Sequence, residues 1–147
     1  MKASVQALSM IKSFEGLRLT SYKPVATEKL YTIGYGHYGV APGITITTSE
    51  AEDLLLKDIK KCETRVNKYH KQYKFNRNEF DALISFTFNI GSIDQLTQNG
   101  KRTKLQIGNA ICLYNKAGGK ILPGLVKRRK VEEMIYKSPI CNCNCHS

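Results

Sequence analysis

The sequence predicts an α+β fold in one chain-continuous domain, and three observations carry that prediction. Apolar residues recur at helical spacing on both sides of a segment, Leu17 to Ile46, whose rhythm is shorter. Within that segment Gly34, Gly36, Gly39, Pro42 and Gly43 punctuate the chain, and Tyr31, Ile33 and Tyr35 alternate as a strand does. A long helical pattern then leaves it through the capping sequence Thr47-Thr48-Ser49-Glu50. The expected molecule has a small β lobe of about three antiparallel strands and a larger helical lobe. A long helix joins them, and the cleft between the lobes is where a ligand is usually held.

The elements follow in order. Val5, Leu8, Ile11 and Phe14 mark a first helix, which Gly16 stops near Glu15. After the meander, Leu54, Leu55, Ile59, Cys62, Val66 and Tyr69 predict a helix over 48–69. Asn76-Arg77-Asn78-Glu79 opens another by the same capping logic, with Phe80, Leu83, Ile84, Thr87 and Phe88 inside it and a stop near Gly91. Helical patterns also cover Leu105–Tyr114 and Leu122–Tyr136, separated by the glycine-rich loop NKAGGKILPG. Residues 1–137 read as the folded domain and 138–147 as a cysteine-rich tail without fixed structure. No linker, repeat or low-complexity tract divides the chain.

A chain of 147 residues with 41% hydrophobic content suits one compact core, and two full domains are excluded. The net charge of +11 calls for an anionic partner: nucleic acid, a membrane surface or an acidic polymer. The basic residues divide into the block Lys127–Lys130 (KRRK) and scattered positions such as Lys57, Lys60, Lys61, Lys68, Lys71 and Lys74, both read as solvated helix faces. The first residues, MKASVQALSMIKSF, lack the apolar run and cleavage site of a signal peptide, and no segment suits a bilayer span. A soluble product of the cytoplasm is expected. Cys62 and Cys112 sit in amphipathic patterns, where a thiol acts as a small hydrophobe. Cys141, Cys143, Cys145 and His146 could offer ligands to zinc, but C-x-C-x-C lacks the paired C-x-x-C spacing of such sites, so no metal is expected.

Glu15 is the candidate for chemistry. The carbonyl end of its helix and the apolar flanks Phe14 and Leu17 both favour the neutral carboxyl, the form a general acid needs. A helix-end Glu exposed to solvent is the plain alternative. The residues around it decide between the two. EGLRL-x-x-Y at 15–22, TIGYGH at 32–37, G-x-TIT-x-x-EAE-x-LL at 43–55, FDALISF-x-FNIG at 80–91 and NKAGGK-x-LPGLVKRR at 115–129 resemble the phage-type lysozymes of glycoside hydrolase family 24. The resemblance covers most of 5–136 and leaves the cysteine tail outside.

What the resemblance implies is a lysozyme-like fold and muramidase action: hydrolysis of the β-1,4 bond between N-acetylmuramic acid and N-acetylglucosamine in peptidoglycan. The family is regarded as inverting. One carboxylic acid protonates the leaving oxygen while a group on the opposite face directs water, with about 6.5–9.5 Å between carboxyls. Glu15 matches the acid. The family's second carboxylate is an Asp in a Y-x-D sequence, and Tyr22-Lys23-Pro24 puts proline there. Glu28 is the only carboxylate between Tyr22 and Thr32, and a longer hairpin would carry it to the water side; otherwise it is an exposed turn residue. Thr32 matches the family's third site residue, and its hydroxyl both donates and accepts. His37 is expected to be structural, tied to Asp58.

The implied partners are peptidoglycan glycan strands and, secondarily, anionic wall polymers such as teichoic acid. No nucleic acid, cofactor or stable membrane insertion is implied, and a monomer is expected. Access to the wall would follow holin-type release or lysis. Two other functions compete: a peptidoglycan-binding protein on the same scaffold that has lost turnover, to which Pro24 lends weight, and a nucleic-acid-binding domain, which no recognition motif supports.

Overall fold

A computed structural model describes residues 1–140. Helix α1 (Val5–Glu15) starts at Ser4, whose side chain accepts the Ala7 N–H, and stops at Gly16 with φ 68°. The residues before it are pinned far along the chain. The Ala3 N–H reaches Glu63 Oε2 at 2.7 Å, and Asp81 takes the backbone N–H and the hydroxyl of Ser4.

Three short strands, β1 (Arg18–Tyr22), β2 (Tyr31–Gly34) and β3 (His37–Val40), make an antiparallel sheet in that order, with register irregularities in both pairings. The predicted small meander is therefore present. Ile33 is fully buried beneath it.

Helix α2 (Thr48–Tyr73) has 26 residues and the expected capping box between Thr47 and Glu50. Its buried residues Leu55, Ile59, Cys62, Val66, Tyr69 and Tyr73 recur at three- and four-residue steps, giving one core-facing stripe. The prediction ended it at 69. Tyr73 extends the stripe by one more turn, and Lys74 ends the helix in a left-handed conformation at φ 53° without a glycine.

Helix α3 (Arg77–Ile90) carries the second predicted box, and every residue from Glu79 to Thr87 is buried. A helix enclosed on all sides is the centre of its lobe. The short α4 (Asp94–Thr97) was not foreseen. Helix α5 (Lys104–Ala110) starts at a Thr103/Gln106 box and tightens into a 3₁₀ turn at Ile111–Leu113, so the helix expected over Leu105–Tyr114 is shorter and two-part. The glycine-rich loop is a hairpin of β4 (Lys116–Ala117) and β5 (Lys120–Ile121), turned by Gly118 and Gly119 with φ 58° and 77°. Helix α6 (Pro123–Lys137) closes the helical lobe.

Beyond α6, Asn78 donates to the Ser138 carbonyl at 3.1 Å. The tail Cys141–Ser147, with the zinc reading of Cys141, Cys143, Cys145 and His146, lies outside the described residues. No described helix is long and apolar enough to cross a membrane. Among the described residues, no group of three or more His, Cys, Asp or Glu side chains is placed to hold a metal ion.

His37 Nδ1 lies 2.8 Å from Asp58 Oδ2, tying β3 to α2 as the structural reading of His37 required. The pair is half-buried, so Asp58→Asn is expected to cost about 1–2 kcal/mol. Urea unfolding of the variant against wild type measures it.

Candidate active site

The end of α1 places Glu15 against the other end of the chain. Arg128 Nη1, on α6, donates to Glu15 Oε1 at 2.7 Å, and the same guanidinium lies 4.8 Å from the Phe14 ring centroid. On the other side, the β2–β3 turn presses its backbone on the carboxylate. A Cβ added at Gly36, where φ is +73°, would stand 2.5 Å from Glu15 Oε2. One carboxylate oxygen is thus held by a cation and the other faces glycine backbone, which fixes the side chain's orientation.

This corrects the reading of KRRK as a solvated face. Arg128 is 5% exposed and Arg129 fully buried, together with Glu132 one turn further on. Ser85 Oγ donates to Glu132 Oε1 at 2.8 Å, as do Arg129 Nη2 at 3.0 Å and Arg128 Nε at 3.3 Å. Arg129 Nε approaches Glu132 Oε2 to 2.8 Å, in a charge contact without hydrogen-bond alignment. Arg128 Nη2 donates to the Ser85 carbonyl, and Arg129 Nη2 to Asn89 Oδ1 at 2.9 Å. Burial pushes the Glu132 carboxyl up from its ordinary value while both guanidiniums pull it back. Burial also pushes Arg129 down, against the pull of Glu132. Two of the four residues in KRRK therefore form a buried charge cluster directly behind Glu15.

Two depressions flank the carboxylate. The first, of about 390 Å³, is lined by Phe14, Glu15, Asn89, Leu122, Leu125 and Arg128, so Arg129 also fixes a lining residue through Asn89. The second, of about 230 Å³, begins at Gly36 and runs between Tyr38, Lys61, Arg65, Phe88 and Gly91. Thr87 lines it with a buried hydroxyl that has no hydrogen-bond partner among the described residues. Cys62 also borders it, but burial pushes that thiol up to about 12, so it is no nucleophile near neutral pH. The predicted cleft is present, with α2 along its back.

The other predicted residues lie in the β lobe. Thr32 sits mid-strand in β2, 6% exposed, opposite Tyr22 of β1 and Tyr38 of β3. Pro24 is exposed in the β1–β2 connection. Glu28 is in the same connection, its N–H bonded to the Val25 carbonyl in a turn. It is not the open turn residue considered above, because its Oε2 is buried, without a hydrogen-bond partner among the described residues. Arg128 is the site residue that the sequence reading missed. Its signal was the spacing of Arg128, Arg129, Glu132 and Tyr136, which lies on one helical face.

The family model described as phage lysozyme matches residues 12–132. The chain is 43% identical over 141 residues to an endolysin of Lactococcus phage c2, covering 95% of this chain and 62% of the relative. It is 44% identical over 147 residues to an endolysin of Bacillus phage PZA, covering 94% and 56%. It therefore spans less than two thirds of the length of these relatives. Among solved structures, the muramidase domain of SpmX from Asticaccaulis excentricus superposes with a TM-score of 0.79 at 30% identity, covering 94% of this chain and 99% of that one. An endolysin from Escherichia coli O157:H7 phage FAHEc1 gives 0.78 at 35% identity, with 94% of each chain covered.

Proposed function

The chain belongs to the phage lysozyme family, and we propose that it is a muramidase cleaving the β-1,4 bond between N-acetylmuramic acid and N-acetylglucosamine in peptidoglycan. Residues 1–137 are the catalytic unit, working as a monomer on the wall after holin-type release. The observation that carries this reading is the seating of Glu15 between two depressions of the cleft, with Arg128 on one oxygen and Gly36 backbone against the other.

Glu15 gives its proton to the glycosidic oxygen as the bond to the anomeric carbon breaks, and a water attacks that carbon from the opposite face, inverting it. Thr32 holds that water through its hydroxyl, and Glu28 accepts the proton the water loses. Because Pro24 replaces the family's usual aspartate, a second reading remains: a peptidoglycan-binding protein without turnover.

Reducing-end release and turbidity loss on purified peptidoglycan separate the two. Wild type is expected to release reducing ends, with Thr32→Ala and Glu28→Gln each slower by about 10²-fold. A wild type that pellets with the wall yet releases no ends would refute hydrolysis and assign the binding role. Gly36→Ala tests the seat itself. A Cβ there enters the Glu15 carboxylate at a left-handed φ, so stability is expected to fall by about 1–2 kcal/mol. The displaced acid should lower turnover by about 10–100-fold, readable in the same assay beside a thermal melt.

A further inference from the structure

Helix α2 turns one face away from the core, and of its lysines Lys61 also borders the second depression. Each residue turns the helix by about 100°, so Lys57, Lys60, Lys61, Lys68 and Lys71 fall within about 100° of arc. That arc lies opposite the buried stripe of Leu55, Ile59, Cys62, Val66 and Tyr69, and all five lysines are exposed. From Lys57 to Lys71 the ridge runs about 21 Å. Only polar residues share it.

The acids of α2 do not neutralise it. Glu50 closes the capping box, Glu52 pairs with Lys12, Asp58 with His37, and Glu63 takes the Ala3 N–H; Asp53 lies a turn before the ridge begins. Among the described residues Lys68 alone of the five has an ion-pair partner, Asp94 at 3.2 Å. Like charges three and four residues apart oppose the helix that carries them. A polyanion laid along the ridge removes that repulsion.

The chemistry of the face selects among polyanions. Single-stranded nucleic acid is held by exposed aromatic platforms, and the aromatic residues of α2, Tyr69 and Tyr73, are buried. A membrane surface needs a continuous exposed apolar flank beside the cations, and the exposed large apolar residue of α2 is Leu56 alone, at the start of the ridge. We propose that the ridge binds a polyol-phosphate polymer of the bacterial wall, a flexible chain whose repeated phosphodiester charges meet two groups of lysines, Lys57–Lys61 and Lys68–Lys71, about 10 Å apart along the helix. Such a contact holds the cleft at the wall between cleavage events.

The test uses the triple variant Lys57→Gln, Lys60→Gln, Lys71→Gln, none of which lines either depression. Retention is measured in a salt series on walls carrying their polyol phosphate and on the same walls after its chemical removal. Wild type should bind the intact walls at least about tenfold more tightly, and the triple variant should lower the slope of log affinity against log salt by about 2. Both should release reducing ends equally from the stripped glycan. Equal retention of variant and wild type on intact walls would overturn the proposal. So would equal wild-type retention on stripped walls, or tighter wild-type binding to a single-stranded oligonucleotide of matched charge than to the free polymer. Retention is read without turnover, so a failure of hydrolysis bears only on the proposed activity.

Discussion

Replacing Glu15 by Gln is expected to lower reducing-end release from purified peptidoglycan by about 10²–10⁴-fold, while wall binding and the unfolding midpoint stay close to wild type. The amide keeps an oxygen for the Arg128 N–H, so the seat observed at 2.7 Å survives. Only the transferable proton is lost. Most substitutions that abolish an activity also loosen the fold, and a melt run beside the assay shows whether this one does. A Glu15→Gln protein that turned over at the wild-type rate would remove Glu15 from the mechanism, whatever its position in the cleft.

Glu132→Gln is expected to have the largest effect on stability. The carboxylate is fully buried and contacts Arg128, Arg129 and Ser85. Removing its charge leaves Arg129 in the core without an anion and Arg128 with Glu15 alone, a change that costs about 3–5 kcal/mol. At this chain length the thermal midpoint should fall by about 10 °C. Turnover per folded molecule should fall as well, because Arg128 loses one of the contacts that aim it at Glu15. Combining Glu132→Gln with Arg129→Met should recover part of the loss, since one uncompensated charge is then gone. A Glu132→Gln protein with an unchanged midpoint would mean that the cluster is not ionised as drawn.

Much of the fold was legible because it is written locally. The boxes at Thr47 and Asn76 and the stop at Gly16 depend on residues within one helical turn, and all three are where the spacing put them. Helix α2 ran past its predicted end because Lys74 takes a left-handed conformation that sequence rules assign to glycine or asparagine. The box at Thr103 is equally local, closed by Gln106 one turn on. The site divides in the same way. Glu15 and Thr32 stand inside contiguous motifs, whereas Arg128 looked like surface charge because its partners come from α1, α3 and its own helix together. A basic block is solvated or buried according to what folds against it, and no window of neighbouring residues contains that information.

The ion pair between Glu15 and Arg128 joins residues 113 positions apart. Chain order then becomes a clock. A ribosome makes the acid 113 residues before the cation that seats it, and closing so long a loop must wait for α6 to emerge. A nascent or truncated chain that stops short of α6 carries the acid without its guanidinium and leaves α3 uncovered. The seated carboxylate exists only once synthesis has passed Arg128, so the cell making this protein holds no half-made copies with the site assembled.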